Sequence, residues 1–287
     1  MEVIIKPKMA DYTTFKVGGI ADVMAVPKNQ FELLKLIEFL RNENIIYYVV
    51  GNGSNLLVSD KGLRGCVVHI GQNMSAIKVV GKKMYIEAGA KMSDIADAAL
   101  KNNLTGFESL SGIPGTIGGA IMMNAGAYNQ EIGNLVVSVD VIDENNNIIT
   151  LKQDKLDFSY RHSCIEEKGY VVVAVRLSLE EGDKTSIQNK MNQVKILRES
   201  KQPIEPSAGS TFKRPENGFA SLLIQESNLQ GESVGDAEVS TKHAGFIINK
   251  GQATANDIFK LINKIKESIK TYYNITLEPE IKIWGKF

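Results

Sequence analysis

The stretch of residues 106–133 constrains the fold of this chain more than any other part of its sequence. It contains seven glycines and almost no charge, and the glycines alternate with apolar residues such as Ile117 and Ile121. A solvated linker is polar, so this composition predicts a tight, buried loop that faces a ligand. Glycine lets a backbone approach a ligand closely, and its amides can hold a dinucleotide pyrophosphate. A glycine crossover with a purely structural role is the alternative.

A second glycine turn follows a predicted strand and reads Gly51-Asn52-Gly53-Ser54-Asn55. Consecutive backbone N–H groups in such a turn can form a nest for an anion, and the Ser and Asn side chains add donors. The dinucleotide fingerprint GxGxxG is excluded, because Leu56 occupies the position of its third glycine. No GxxxxGK[ST] loop occurs in the sequence. Taken alone, this turn is also compatible with an ordinary β-turn.

Apolar periodicity predicts helices and strands interspersed along the chain, which is an α+β class. The predicted helices span residues 29–44, 93–102, 184–200, 219–227 and 253–273. The predicted strands span residues 46–50, 65–70, 84–88, 135–143, 148–151, 170–179 and 275–283. Ser93 is the expected N-cap of the second helix. Residues 201–209 contain two prolines and are typical of a boundary between lobes.

Composition limits the functional classes open to the chain. Its 287 residues exceed an average domain, so two or three lobes are expected. Lys and Arg number 33, as do Asp and Glu, so there is no bulk attraction to nucleic acid or to an anionic membrane. Cys66 and Cys164 form no CxxC pair and favour a reducing compartment. With no signal peptide and no long apolar run, we expect a cytoplasmic protein without a membrane partner, and a monomer or weak oligomer.

Four stretches carry a resemblance to a known family. They are TTFKVGG at residues 13–19, GNGSNLLV at 51–58, SGIPGTIGGA at 111–120 and NAGAY at 124–128. Together they resemble the UDP-N-acetylenolpyruvoylglucosamine reductase (MurB) family, within the superfamily of FAD-linked oxidases related to vanillyl-alcohol oxidase. The resemblance implies an α+β fold with a two-lobed FAD-binding domain of the PCMH type and a C-terminal α+β substrate-binding domain.

The resemblance also implies how the chain is divided and what it binds. We expect the FAD-binding lobes at residues 1–70 and 71–200 and the substrate-binding domain at 201–287, with the last strand, about 280–287, able to return to the first lobe. FAD is expected to bind without a covalent link, its pyrophosphate between the two glycine-rich loops, with NADPH as co-substrate. The residues expected to bind FAD are Gly51, Asn52, Gly53, Ser54, Asn55, Leu56, Ser111, Pro114, Gly115, Thr116, Gly118, Gly119, Ala120, Asn124, Ala125 and Gly126.

Three polar sites, far apart in sequence, complete the resemblance. They are SYRHS at 159–163, AGSTFK at 208–213 and LEPEI at 277–281. By resemblance, Arg161 holds the substrate carboxylate, Ser210 donates a proton and Glu280 is the acidic partner. An arginine fork binds a carboxylate and stabilises a developing enolate, and a serine hydroxyl can protonate a strongly basic carbon. Each residue alone has an ordinary alternative: a surface ion pair, a turn or a solvated strand end.

The implied substrate is UDP-N-acetylglucosamine enolpyruvate, whose diphosphate requires cations or other donors. The candidates to contact it are Arg198, Lys201, Lys213, Arg214, Lys242 and His243. Solvated surface charge is the alternative for each of them. The three histidines are too scattered to indicate a metal site, so no metal is expected.

The chain departs from the family pattern in two places. Some members carry a tyrosine-bearing insertion that folds over the substrate, but residues 170–203 have room for only one strand and one helix. The chain therefore resembles the shorter type, which leaves open what covers the substrate. Arg214 follows Lys213 where many relatives have Asn, so the contacts to the diphosphate are expected to differ in detail.

Two other functions remain open at this stage. A covalent-flavin oxidase of the same superfamily, acting on a sugar or an alcohol, usually tethers FAD through His or Cys, and neither glycine-rich loop contains one. Flavin that stays with the denatured protein would favour this oxidase. A non-enzymatic nucleotide-binding module is the third candidate, but a binder does not need the proton donor Ser210.

Overall fold

The structure is a computed structural model that describes residues 1–216 and 218–287. These residues form two compact units, each assembled from separate stretches of chain. The first unit contains Met1–Ile4, Met24–Asn52 and Cys66–Arg198, and the second contains Ile5–Val23, Gly53–Gly65 and Glu199–Phe287. The lobes expected at 1–70, 71–200 and 201–287 divide the chain differently, and their boundaries stay a prediction.

The secondary structure is mixed throughout. The strands are β1 (Glu2–Ile5), β2 (Ala21–Val26), β3 (Tyr47–Val50), β4 (Leu56–Val58), β5 (Leu63–His69), β6 (Ile77–Val80), β7 (Lys83–Glu87), β8 (Leu104–Thr105), β9 (Gly126–Ala127), β10 (Gln130–Glu131), β11 (Val136–Ile142), β12 (Ile148–Lys152), β13 (Val171–Ser178), β14 (Glu180–Glu181), β15 (Ser233–Val234), β16 (Ala237–Val239), β17 (Ile247–Asn249) and β18 (Lys282–Trp284). The α-helices are α1 (Gln30–Asn42), α2 (Met92–Lys101), α3 (Ile117–Met122), α4 (Cys164–Glu167), α5 (Lys184–Lys201), α6 (Ala220–Glu226) and α7 (Ala255–Tyr273). Short 3-10 helices lie at Met9–Tyr12, Gln72–Met74, Glu108–Leu110, Ile132–Asn134 and Gln153–Lys155.

The first unit is built on an antiparallel five-stranded sheet of order β12–β11–β13–β7–β6. Its central strand β13 begins with five consecutive buried residues, Val-Val-Val-Ala-Val. A β-branched run of this kind suits a strand that is covered on both faces. Helix α3, from the glycine-rich stretch, packs against β13 and β7. The sheet therefore provides a rigid support for that stretch.

A second sheet has the order β1–β2–β5–β3 and lies largely in the first unit. Its strands β3 and β5 are parallel, and their register places Val50 opposite His69. Helix α1 of this unit is capped by Asn29, whose side chain accepts a hydrogen bond from the N–H of Glu32 at 2.9 Å. The register matters for function because β3 leads directly into the first glycine turn.

The second unit has its core around helix α7, which buries an isoleucine- and leucine-rich face. A capping box formed by Thr254 and Asp257 begins the helix. The carboxylate of Asp60 accepts hydrogen bonds from the N–H groups of Ala255 and Asn256 at 2.9 and 2.8 Å. These contacts satisfy N–H groups that have no partner within the helix. The sheet β15–β16–β17 packs against α7, and β18 pairs in parallel with β4.

The structure confirms most of the predicted elements and corrects three. The long helices, the hairpin of β11 and β12, and β13 are where periodicity predicts them. The expected N-cap Ser93 is wrong, since α2 begins after Lys91, which makes no side-chain cap. The strand expected at 275–283 is reduced to β18. Residues 106–133 are not only loop, because they include α3. No helix within residues 1–216 and 218–287 combines the length and apolar character that crossing a membrane requires.

Candidate functional site

The two glycine-rich segments meet inside the first unit. A Cβ atom on Gly51 would lie only 2.2 Å from Oγ1 of Thr116. The side chain of Asn52 donates a hydrogen bond to the backbone oxygen of Pro114 at 2.5 Å. Real Cβ atoms do not approach other atoms so closely, so only glycine fits at position 51. The structure thus brings together parts of the two segments that sequence analysis assigns to FAD.

The second segment packs tightly against the chain that follows β7. The N–H of Ile117 donates to the oxygen of Ala90, and the N–H of Gly118 donates to the oxygen of Ala88, both at 2.9 Å. A Cβ on Gly118 would lie 3.0 Å from that Ala88 oxygen. These two amides are therefore used within the protein, and the glycine at position 118 reflects backbone packing.

Residues Gly53 to Leu56 belong to the second unit, where Leu56 begins β4. Gly53 has a φ of 60°, and its oxygen accepts a hydrogen bond from the N–H of Thr14 at 3.2 Å. Asn55 donates its side-chain N–H to the backbone oxygen of Glu280 at 3.1 Å. One predicted FAD residue is thus joined to the predicted acidic partner.

The stretch that follows α3 contains the remaining predicted FAD residues. Asn124 is buried, with 1% of its surface exposed, and its carboxamide forms three hydrogen bonds inside the protein. The N–H of Ala125 donates to the oxygen of Ala120 at 2.8 Å. Gly126 begins the short strand β9. Earlier in the segment, the hydroxyl of Ser111 donates to the oxygen of Glu108 at 2.7 Å.

Arg161 lies in the first unit, at the tip of a two-residue turn. Ser159 and His162 close this turn by exchanging backbone hydrogen bonds of 3.2 and 3.1 Å. Arg161 has a φ of 55°, a left-handed conformation that is uncommon for a residue with a long side chain. Its guanidinium lies 4.9 Å from the ring centre of Tyr160 and donates to the oxygen of Gly126 at 3.4 Å.

Ser210 and Glu280 lie in the second unit, and the structure brings their segments together. Ser210 forms an antiparallel bridge with Phe246, and Phe212 forms one with Pro279. The N–H of Glu280 donates to the oxygen of Thr211 at 2.8 Å. Both predicted catalytic side chains are half-buried. A hydroxyl and a carboxyl therefore emerge from adjacent backbone segments, while Arg161 belongs to the other unit.

The residues predicted to contact the substrate diphosphate differ in the contacts that they already make within the protein. In the second unit, the ammonium of Lys213 pairs with Glu278 at 2.5 Å, and that of Lys242 donates to the oxygen of Glu199 at 2.5 Å. The guanidinium of Arg214 lies 4.5 Å from the ring centre of Phe219.

The other three candidates are two half-buried groups and an exposed lysine. Burial lowers the pKa of His243, so this ring is neutral near neutral pH. Lys201 is exposed. In the first unit, burial lowers the pKa of Arg198, and the Arg198 side chain fills the space beside Gly112, where a Cβ would lie 2.3 Å from Cδ. Because five of the six already contact other residues of the protein, their role towards a diphosphate stays a prediction.

His69 is a residue beside the first glycine turn that sequence reasoning did not assign to the site. Burial lowers its pKa, and a hydrogen bond with the backbone of Gly51 opposes that shift. Only the parallel register of β3 and β5 brings it there, so no local sequence signal could have found it. Burial also raises the pKa of the thiols of Cys66 and Cys164. Among the residues described by the structure, no group of three or more acidic, His or Cys side chains could hold a metal ion.

Comparison with protein families identifies both parts of the chain. A family described as an FAD binding domain matches residues 21–152. A family described as the C-terminal domain of UDP-N-acetylenolpyruvoylglucosamine reductase matches residues 201–284. The two matches cover segments of sequence that carry the predicted FAD loops and the predicted proton donor, respectively.

Known proteins resemble the chain over almost its full length. It is 50% identical to a UDP-N-acetylenolpyruvoylglucosamine reductase of Caldanaerobacter subterraneus subsp. tengcongensis, over 97% of this chain and 92% of the relative. It is 47% identical to the protein of the same name from Clostridium novyi, over 97% and 91%. The crystal structure of UDP-N-acetylenolpyruvylglucosamine reductase (MurB) from Thermus caldophilus superposes with a TM-score of 0.85, at 34% identity, over 99% and 98% of the two chains.

Proposed function

Because the chain belongs to the family of UDP-N-acetylenolpyruvoylglucosamine reductases, we propose that it reduces UDP-N-acetylglucosamine enolpyruvate to UDP-N-acetylmuramate, with FAD as cofactor and NADPH as reductant. This is an oxidoreductase reaction on a carbon–carbon double bond, in the synthesis of peptidoglycan precursors. The observation that carries the proposal is the near-complete coverage of both chains at 44 to 50% identity. The chain is of the shorter type: residues 170–203 hold β13, the two-residue β14 and α5.

The residues of the glycine-rich segments fit a dinucleotide. At 51–56 and 114–120 they are glycines, carboxamides, hydroxyls and apolar residues, with no carboxylate to repel a pyrophosphate. When bound, FAD supplies the two-electron chemistry that carries hydride from NADPH to the sugar nucleotide. The two segments would hold its pyrophosphate through their backbone N–H groups and their hydroxyl and carboxamide side chains.

Arg161 binds the carboxylate of the enolpyruvyl group and stabilises the negative charge that spreads into it when hydride arrives. The left-handed turn supports this role, since it fixes the base of the side chain at the end of a short loop. A guanidinium is always charged and matches a carboxylate in two places. Arg161 therefore orients the double bond as well as stabilising charge.

Ser210 donates a proton to the carbon next to the one that receives hydride, and Glu280 assists as the acidic partner. The backbone bond between Glu280 and Thr211 supports this pairing, because it ties the two residues to one pair of segments. We assign Arg198, Lys201, Lys213, Arg214, Lys242 and His243 to the neighbourhood of the diphosphate. Among these, Lys201, Arg214 and Lys242 are the exposed cations and are the first to test.

The expected compartment is the cytoplasm, where a nucleotide-linked substrate and NADPH are both supplied. The presence of two free, buried cysteines is in keeping with this. The oxidase alternative is not favoured, since both thiols are buried with raised pKa values and His69, beside the first glycine turn, is hydrogen-bonded to the backbone of Gly51. A monomer or weak oligomer remains the expected state of assembly.

A visible spectrum of the purified protein, recorded without oxygen, tests the proposed function. NADPH is added first and the enolpyruvyl sugar nucleotide second. We expect a flavin band that bleaches with NADPH and returns only with the sugar nucleotide. A band that bleaches and does not return would remove the substrate, and no band even after added FAD would remove the cofactor. Flavin that stays with acid-denatured protein would favour the covalent oxidase.

A further inference from the structure

The carboxamide of Asn124 has no hydrogen-bonding donor left for a ligand. Its Nδ2 donates both hydrogens, one to Oε2 of Glu131 and one to the backbone oxygen of Ser159, each at 2.9 Å. Its Oδ1 accepts from the N–H of Gly133 at 3.0 Å. A carboxamide has only two N–H donors. The carboxamide is oriented with its nitrogen towards the two acceptors and its oxygen towards the donor. Both of its N–H donors are therefore used inside the protein.

One of these acceptors is the base of the turn that carries Arg161. The oxygen of Ser159 accepts both from Asn124 and from the N–H of His162, which closes the turn at 3.1 Å. On the far side of the turn, the hydroxyl of Ser163 donates to the oxygen of Met122 at 2.9 Å. The turn is therefore fastened at one end to Asn124, which follows α3, and at the other to Met122, the last residue of α3.

Those same residues include predicted contacts of FAD. The backbone oxygen of Gly126 receives the hydrogen bond from Arg161, two residues beyond Asn124. Asn124 itself has a φ of 41°, so the chain bends sharply at this point. All of these residues lie in the first unit. One buried side chain thus connects the flavin-binding stretch with the turn of the arginine.

We propose that Asn124 is a positioning residue for Arg161, acting on the substrate carboxylate through the turn at Ser159 rather than by contacting FAD. The inference rests on the proposed function, because it takes Arg161 as the carboxylate ligand. It replaces the expectation that the side chain of Asn124 binds the cofactor. Its physical basis is that a long arginine on a two-residue loop is placed accurately only if the base of the loop is fixed.

The test compares the two half-reactions of Asn124→Asp and Asn124→Ala in the full-length, FAD-loaded enzyme, by rapid mixing without oxygen. Asp keeps the shape and the acceptor for Gly133, but a carboxyl group donates at most one hydrogen and cannot satisfy both Glu131 and Ser159. We expect reoxidation by the enolpyruvyl sugar nucleotide to slow by about tenfold to a hundredfold, as for a reacting group displaced by an ångström. Reduction by NADPH and the FAD content should stay within about twofold of the unaltered enzyme.

A second comparison separates positioning from a merely structural role. In an Arg161→Ala background, substitution of Asn124 should have no further effect on reoxidation, because residues that act as one unit are not additive. The matched control is Asp143→Ala: this buried carboxylate holds another turn of the first unit through the N–H groups of Asn145 and Asn147, at 2.9 and 2.7 Å. It should lower thermal stability and leave reoxidation unchanged.

The outcomes distinguish this inference from the proposed function. Loss of FAD from the Asn124 variants, equal slowing of both half-reactions, or full additivity with Arg161→Ala would overturn the positioning role alone. Reoxidation of the Asn124 variants at the rate of the unaltered enzyme would also overturn the positioning role. If the reduced flavin of the unaltered enzyme were not reoxidised by the sugar nucleotide, the proposed function and the positioning role would fall together.

Discussion

Glycine is required in the two units for opposite physical reasons. At Gly51 of the first unit the neighbours leave no room, because a Cβ would lie 2.2 Å from Oγ1 of Thr116. At Gly209 of the second unit nothing lies within 4 Å of such a Cβ, but the residue has a φ of 76°. Gly51 permits close packing of the first glycine turn against Thr116. Gly209 permits the backbone conformation that precedes Ser210. The same residue type therefore supports a predicted FAD loop in one region and the placement of the predicted proton donor in the other.

The largest expected effect comes from Ser210→Ala, which leaves the backbone of the second region intact and removes only the hydroxyl. We expect reoxidation of the reduced flavin by the sugar nucleotide to slow by about 10²- to 10⁴-fold, the usual worth of a general acid. Reduction by NADPH and retention of FAD should be nearly normal. Rapid-mixing absorbance without oxygen measures both steps. Equal slowing of the two would show that Ser210 is not the proton donor.

Gly51→Ala tests the crowded contact in the first unit. Unlike Ser210→Ala, it should reduce stability and FAD binding. The added methyl group overpacks the contact with Thr116, so we expect a loss of about 1–3 kcal/mol in the free energy of unfolding, together with weaker FAD binding. Urea unfolding and flavin titration measure the two effects.

The companion variant to Gly51→Ala is Thr116→Ala, which removes the two side-chain atoms at 2.2 and 3.1 Å from the new Cβ. The double variant should recover much of the lost stability. If it recovered none, crowding by Thr116 would not be the reason for glycine at position 51.

Gly209→Ala should lower the free energy of unfolding by less than Gly51→Ala does. No substitution of a neighbouring residue by a smaller one should restore the lost stability. A left-handed conformation costs a residue with a Cβ about 1–2 kcal/mol, and Asn tolerates it better. We therefore expect the unfolding free energy to fall in the order Gly209, Gly209→Asn, Gly209→Ala. Gly81, with a φ of 57° and nothing within 4 Å, is the matched control and should give the same order. A larger loss at Gly209 alone would indicate a contact beyond its backbone conformation.

The smallest expected effect is a dependence of stability on pH at the first glycine turn. Burial holds the pKa of His69 below its ordinary value of 6.5 in the folded chain. Below about pH 6.5 the unfolded chain therefore binds more protons than the folded chain. The contribution of His69 to the unfolding free energy is fully present above that pH and is lost as pH falls towards the folded pKa.

His69→Gln should flatten part of this decline. His243, whose pKa burial also lowers, should account for another part in His243→Gln. Unfolding curves measured between about pH 5 and 8 would show both effects. An unchanged slope in His69→Gln would contradict the role of its burial.

Sequence predicted the parts of the fold that have a strong local period. Helices α1, α5 and α7 are found because apolar spacing of 3.6 residues is a property of the segment itself. The two- and three-residue strands, such as β4 and β16, escape prediction because pairing partners define them, not their own composition. The cap expected at Ser93 is also wrong, because the N-cap is Lys91, two residues earlier, and it makes no side-chain cap hydrogen bond.

The sequence by itself determined the family and its FAD cofactor, and it supplied the candidate residues for FAD binding and for the chemistry. Those properties are carried by residue types at fixed spacing, which a chain displays without folding. Tertiary structure alone decided that Asn124 is committed to Ser159, Glu131 and Gly133 and that His69 lies beside Gly51. The physical reason is that a sequence gives the inventory of donors and acceptors, whereas only the folded backbone decides which of them satisfy one another.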